Sequence, residues 1–205
     1  LKKPWKALLG SQEEQDNLRE LADIIELEDP DHVLVQEVDG GSFRSKFDGQ
    51  HRKIIENLKK GFDRSFDCKY RGSLFPRLPL FRLMGNLVLH SSGRVVNHRL
   101  GTGRKNLVQE LRLKEVSIFS LHLATFSSTI RRKQLQELEK IAKQRERFVL
   151  AGDLNLHKSQ KEINRLENQL GQDVKSPGKT FPACDPSQKL DLVTASKGVR
   201  ITDLH

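Results

Sequence analysis

Four apolar runs in this chain end in, or open on, side chains able to do chemistry. Phe148-Val149-Leu150-Ala151-Gly152 runs into Asp153-Leu154-Asn155, and Val33-Leu34-Val35 runs into Gln36-Glu37. Gly85-Asn86 opens Leu87-Val88-Leu89, and Ser120-Leu121-His122-Leu123 closes a fourth run. A buried strand that delivers polar side chains at its end is how α/β enzymes build their sites. The i, i+2 spacing of Asp153 and Asn155 puts both on one side of an extended strand end. Taken singly, each residue also has a plain structural role. Asp153 and Asn155 would suit an Asx-turn or a helix N-cap, Glu37 a solvent-facing strand terminus, His122 a satisfied core histidine, and Asp191 the outward alternation of a strand. The set is more specific than its members.

The elements that must position these residues alternate between helices and strands. Ser11 and Glu14 form a capping box ahead of Leu18, Leu21, Ala22 and Ile25, which predicts a helix over 11–28 ending before Asp29-Pro30. A strand follows at 32–37, then a helix marked by Ile54, Ile55 and Leu58 and stopped by Gly61. Residues 62–84 read as a short strand and a long loop. Strands are predicted at 86–91, 94–99, 106–113 and 116–123, with Lys114-Glu115 as a hairpin turn. A helix over 129–145 points Ile130, Leu135, Leu138, Ile141 and Ala142 inward, and a strand at 147–152 follows. A capping-box helix from Ser159 and Glu162 buries Ile163, Leu166 and Leu170 and stops at Gly171. Strands at 189–195 and 198–204 close the chain. Helix-linked strands mixed with hairpins argue against a purely parallel sheet and for two packed sheets with helices outside. No repeat or linker divides residues 1–205, which read as one domain.

Composition narrows the partner. The 205 residues carry a formal charge of +9, which favours an anionic partner, phosphate or nucleic acid, against the plainer reading of a solubilising surface. No run approaches the roughly 20 apolar residues of a membrane span, which reads as a soluble protein with no transmembrane segment. Cys68 and Cys184 fit neither a disulfide framework nor a zinc site; the compartment stays open, with a cytoplasmic location favoured. The start at Leu1, with no signal-peptide pattern, reads as a processed or trimmed N-terminus.

The segments Pro30–Glu37, Gly85–Leu89, His122-Leu123, Gly152–Asn155 and Lys189-Leu190-Asp191-Leu192-Val193, in that order, resemble the endonuclease/exonuclease/phosphatase superfamily, the deoxyribonuclease-I-like fold. The resemblance implies an α/β fold, a four-layer α/β sandwich of two packed mixed β-sheets flanked by helices. It also implies a divalent-metal-dependent phosphodiesterase or phosphatase. Phosphate-ester cleavage needs a hard cation, an activated in-line water and donors for the developing charge. By the resemblance, Glu37 holds Mg²⁺ (or Mn²⁺), Asp153 orients or deprotonates the attacking water, and Asn155 donates to a phosphoryl oxygen. His122 contacts the phosphate as imidazolium or neutral donor, and Asp191 holds a later catalytic histidine in its tautomer. Asn86 and Arg104 would bind substrate.

Two departures stand out. The superfamily opens with a strand bearing an asparagine near the metal, and here the first element is already the helix at 11–28. It ends with Ser-Asp-His, whereas this sequence ends Thr202-Asp203-Leu204-His205. Both segments are expected outside the sequence, which would leave the chain as written inactive or severely impaired. An antiparallel hairpin turning at Lys197 would nevertheless bring Asp203 beside Asp191 and His205 diagonally within reach.

The substrate the resemblance implies is a phosphate ester, with nucleic acid one possibility. Arg44, Lys46, Arg52, Arg82, Arg104 and Lys105 near the site loops would track a nucleic-acid backbone or attract one phosphate. The shortage of aromatics lowers sequence-specific single-strand binding. Alternatives are a non-catalytic phosphate- or nucleic-acid-binding member of the fold, and a lipid or inositol-phosphate enzyme using 74–84 as a membrane-facing loop, a segment that also reads as a packed loop.

Overall fold

A computed structural model describes residues 12–42, 47–70, 83–156, 160–170, 174–182 and 185–204. The chain divides into two compact units, Leu1–Ser92 and Gly93–His205.

The first unit contains α1 (Gln12–Glu28), β1 (His32–Asp39), α2 (Gln50–Glu56), β2 (Asp63–Cys68) and β3 (Met84–His90). Its sheet has the order β1-β3-β2, with both pairings antiparallel. Leu18 and Ile25, on one stripe of α1, are buried against Ile54 of α2 and against Val38, Leu87 and Leu89 of the sheet, and Ala22 on the same stripe is also buried. α1 stops where Asp29 turns left-handed (φ 43°) before Pro30. The Lys60 ammonium then caps the exposed carbonyl end, donating to Asp29 Oδ1 at 2.6 Å and to Pro30 O at 2.8 Å. The predicted start at Ser11 lies outside the described residues.

β1 runs two residues beyond its predicted end because it contains a bulge. Val35 pairs with Leu87 and Val38 with Gly85, so Gln36 and Glu37 together face the single residue Asn86. Strict alternation from Val33 and Val35 would have driven Glu37 into the apolar face. The extra residue instead hands that face to Val38, and Glu37 takes a left-handed backbone (φ 59°). Gly85, next to this bulge, leaves no room for a side chain: a Cβ would lie 2.2 Å from Asp67 O and 2.8 Å from the Phe66 ring. Gly85→Ala is therefore expected to destabilise the protein by about 1–3 kcal/mol through overpacking, read from denaturant midpoints at constant slope.

The second unit contains β4 (Arg94–Arg99), β5 (Leu107–Arg112), β6 (Ser117–His122), α3 (Ser128–Ala142), β7 (Phe148–Asp153), α4 (Gln160–Leu170), β8 (Val174–Lys175) and β9 (Asp191–Ala195). The sheet order is β4-β5-β6-β7-β9-β8. β6 and β7 are parallel and joined through α3, and the other described pairings are antiparallel, so this sheet is the mixed one. α3 opens on Ser127, whose hydroxyl accepts from Ile130 N. Leu135, Leu138 and Ala142 of α3 and Leu166 of α4 pack on the sheet face carrying Phe119, Leu121, Phe148, Leu150 and Leu192.

Residues 198–204 do not form the predicted strand. The outer edge of β9 is taken at Val193 and Thr194 by β8, a two-residue strand too short to show a periodicity in sequence. The chain past Ala195 turns at Ser196–Val199, and Ile201 O accepts from the Lys175 ammonium rather than entering a ladder. Asp191 therefore pairs with Asp153 and not with Asp203. The hairpin that would have brought His205 toward Asp191 does not form; His205 itself lies outside the described residues, as do Arg44, Lys46, Arg82, Cys184 and positions 74–82 of the 74–84 segment.

Glu110, fully buried in β5, accepts from His98 Nε2 (2.7 Å), Arg112 (2.9 Å), Ser117 Oγ (2.8 Å) and Arg145. This network ties β4, β5, β6 and the segment after α3 together.

Candidate active site

In the second unit the polar residues line up across three strands. His122 of β6 is the register partner of Asp153 of β7, and Asp153 is the register partner of Asp191 of β9. Register partners share a face, and this row lies opposite the face covered by α3 and α4. Position along the chain explains the placement: His122 and Asp153 close their parallel strands and Asp191 opens its antiparallel one, which puts all three at one sheet end. His122 is buried, with its Nε2 3.8 Å from Asp153 Oδ2. Asp153 also shapes the loop beyond β7, because its Oδ1 accepts from Asn155 N at 2.9 Å in an Asx-turn. Asn155 is left-handed (φ 53°), a conformation Asn tolerates, and its side-chain amide donates to Leu123 O at 3.1 Å. One of its N–H groups thus clamps the end of β6 to the end of β7, and the Asx-turn and the candidate site coexist.

The basic residue brought to this row is Lys105, whose ammonium donates to His122 Nε2 and, at 3.0 Å, to Thr125 Oγ1. Arg104 is exposed in the adjoining turn. Two buried α3 side chains hold the surrounding loops. Gln134 donates to Thr102 O (3.0 Å) and Lys105 O (2.6 Å) and accepts from Ala124 N (2.9 Å). Arg131 donates to Ala124 O and Thr125 O and pairs with Glu162 of α4 at 3.0 Å. A charged helix residue would ordinarily face solvent; these carbonyls and Glu162 are why Arg131 turns inward.

In the first unit, Glu37 and Asn86 meet at the β1 bulge. The Glu37 carboxylate is half-exposed and forms a 2.6 Å ion pair with Lys69, whose side chain is 2% exposed. The Lys69 ammonium also lies 5.4 Å from the Tyr70 ring centroid. Burial, and then the charge of Glu37, push the Tyr70 hydroxyl pKa up. Lys69 was not anticipated, since a lysine after a strand reads as solvent-facing; a half-exposed glutamate across the sheet is what permits its burial. Asn86 is wholly buried, and neither its Oδ1 nor its Nδ2 meets a hydrogen-bond partner among the described residues. Such a group costs about 1–3 kcal/mol, and functional sites are where that cost is tolerated.

Among the described residues no cluster of three or more His, Cys, Asp or Glu side chains forms a cage for a metal. The donor chemistry still fits a hard ion of the Mg²⁺ type, which keeps several waters and needs only one or two protein carboxylates. The half-exposed Glu37 carboxylate beside the orphaned Asn86 amide supplies an oxygen of that kind.

An α/β protein with two sheets and a row of polar side chains at its strand ends is the class these features define. The chain belongs to the endonuclease/exonuclease/phosphatase family, whose model matches residues 9–204. Its fold is similar to that of the mannosyl-6-phosphatase Bt3783 of Bacteroides thetaiotaomicron (TM-score 0.64, 11% identity, covering 89% of this chain and 77% of that one). Truncated Caenorhabditis elegans TDP2 is also similar (TM-score 0.58, 15% identity, 89% and 77% covered). So is the human Nocturnin catalytic domain with a bound sulfate anion (TM-score 0.57, 21% identity, 91% and 76% covered). No curated protein gives a significant match. No helix among the described residues is long and apolar enough to cross a membrane.

Proposed function

We propose that this protein is a divalent-metal-dependent phosphoesterase, a phosphodiesterase or nuclease, that hydrolyses a phosphate ester by in-line attack of an activated water. The observation that carries the reading is the in-register row His122–Asp153–Asp191 with the Lys105 ammonium against it. A general base, an imidazole and a fixed cation then share one sheet end, the set that water attack on a phosphoryl group requires. Asp153 orients the water and takes its proton. His122 stands on the phosphate side, Asn155 fixes the two strand ends and donates there, and Asp191 holds a later catalytic histidine in its tautomer. Arg104 and Asn86 bind substrate. Glu37 holds Mg²⁺ or Mn²⁺, which when bound would polarise the phosphoryl oxygens. The +9 charge favours a polyanionic ester, nucleic acid among them. The relatives are a sugar phosphatase by its name, TDP2 and Nocturnin, and the bound sulfate of the last is a tetrahedral anion of phosphate's shape.

One observation favours a second reading, a non-catalytic phosphate-binding member of the fold: Lys69 already neutralises Glu37. Metal binding separates the two. Glu37→Gln is expected to weaken Mn²⁺ binding, followed by electron paramagnetic resonance, by at least roughly tenfold, the smallest loss seen when even an indirect supporting group of a metal is removed. A wild-type protein that binds no Mn²⁺ would leave the binding-module reading standing.

A further inference from the structure

Resting on the phosphoesterase reading, we propose that Lys105 is the residue whose positive charge meets the phosphoryl oxygens, and that His122 acts as the neutral acceptor that aims it. An ammonium has only N–H donors, so the contact between Lys105 Nζ and His122 Nε2 makes Nε2 the acceptor and places the imidazole proton on Nδ1. A nitrogen that accepts from lysine does not donate to a phosphate at the same time. The imidazolium form would set two donors and two positive charges against each other. The Nε2–Asp153 separation of 3.8 Å fits this assignment, since it is too long for an N–H···O bond. Thr125 Oγ1, 3.0 Å from Nζ, supplies a second acceptor from the loop just past β6.

Lys105 is held there by its backbone as well. Gln134, fully buried, grips Lys105 O and Thr102 O with its amide nitrogen and Ala124 N with its amide oxygen, locking the lysine's turn to the loop that bears Thr125. Gly103 makes that approach possible: its φ is +88°, and a Cβ would lie 2.8 Å from Gln134 Nε2 and 2.9 Å from Ile130 Cγ2. A long flexible cation fixed by two side-chain acceptors and a clamped backbone has lost its rotamer entropy before substrate arrives, which is how a preorganised charge gains effect over a mobile surface lysine.

The test is long-range ¹⁵N–¹H spectroscopy of the histidine rings in the full-length protein, with the His122 signals assigned through His122→Gln, and titration with inorganic phosphate. The expected wild-type result is His122 neutral, protonated on Nδ1 and bare on Nε2. In Lys105→Met that pattern is lost and phosphate affinity falls at least about tenfold, the loss of one charge-assisted hydrogen bond. His122→Leu, which cannot accept from Lys105, is expected to lose more phosphate affinity than His122→Gln, whose carboxamide oxygen can. A protonated Nε2 in the wild type, or unchanged phosphate affinity in a folded Lys105→Met protein, would overturn the assignment; the wild-type spectrum decides even if that variant does not fold. Neither readout needs turnover. Absence of hydrolysis with the expected tautomer would count against the phosphoesterase reading alone, and hydrolysis with a protonated Nε2 against the Lys105 assignment alone.

Discussion

Asp153→Asn is expected to lower the kcat of metal-dependent phosphodiester hydrolysis about a thousandfold, within the range lost when a general base is removed, and to leave the fold in place. Asparagine keeps the Oδ1 that accepts from Asn155 N, so the Asx-turn after β7 survives. What disappears is the negative charge beside His122 at the end of the parallel pair β6 and β7, and with it the group that takes a proton from water. The loss should fall on kcat more than on KM, because the carboxylate acts on the water and not on the bound ester. Steady-state kinetics with bis-p-nitrophenyl phosphate, beside a thermal melt, checks it. Retention of more than about a tenth of the wild-type kcat would take Asp153 out of the chemistry.

The largest effect on stability is expected at Glu110. Burial pushes its carboxyl pKa up, but hydrogen bonds from Arg145, Arg112, His98 and Ser117 together outweigh burial and hold it well below the usual carboxylate range. Glu110→Gln removes the charge and leaves two guanidinium groups facing a neutral amide, so a loss of about 3–5 kcal/mol is expected, as for other buried pairs stripped of one partner. The pH dependence follows from the sign of the shift. A carboxyl whose pKa is depressed on folding stabilises the native state above its unfolded pKa, about 4.3, and that contribution is lost as pH falls toward the folded value. The gap between wild type and Glu110→Gln should therefore be full at pH 7 and narrow progressively as pH falls below about 4. Denaturant midpoints across that range provide the check; a constant gap down to pH 2 would show that Glu110 is not the titrating anchor.

The helices and most strands were legible because their apolar spacing matches what they bury: Leu18, Ala22 and Ile25 in α1, and Leu135, Leu138 and Ala142 in α3, are the residues the cores contain. The β1 bulge was not, since Val33, Val35 and Val38 break the two-residue period and only pairing with β3 shows where the extra residue sits. β8 carries too few residues to show a period, and without it 198–204 looked like the natural partner of β9. At the site, residue types were readable and register was not. His122, Asp153 and Asp191 each stood out as polar ends of strands, but their common row depends on which strands neighbour one another. Lys105 was one basic residue among several until Gln134, the seventh residue of α3, fixed its turn. Lys69 gave no signal, because burial of a lysine is decided by its partner across the fold.

The most direct test of the central claim is hydrolysis of bis-p-nitrophenyl phosphate by the full-length protein in ¹⁸O-labelled water, with Mg²⁺ or Mn²⁺ and then with excess chelator. The account predicts turnover that needs the metal, vanishes with chelator and places solvent oxygen on phosphorus. Turnover indifferent to chelator, or a well-folded protein that binds Mn²⁺ yet cleaves neither this ester nor plasmid DNA, would contradict it.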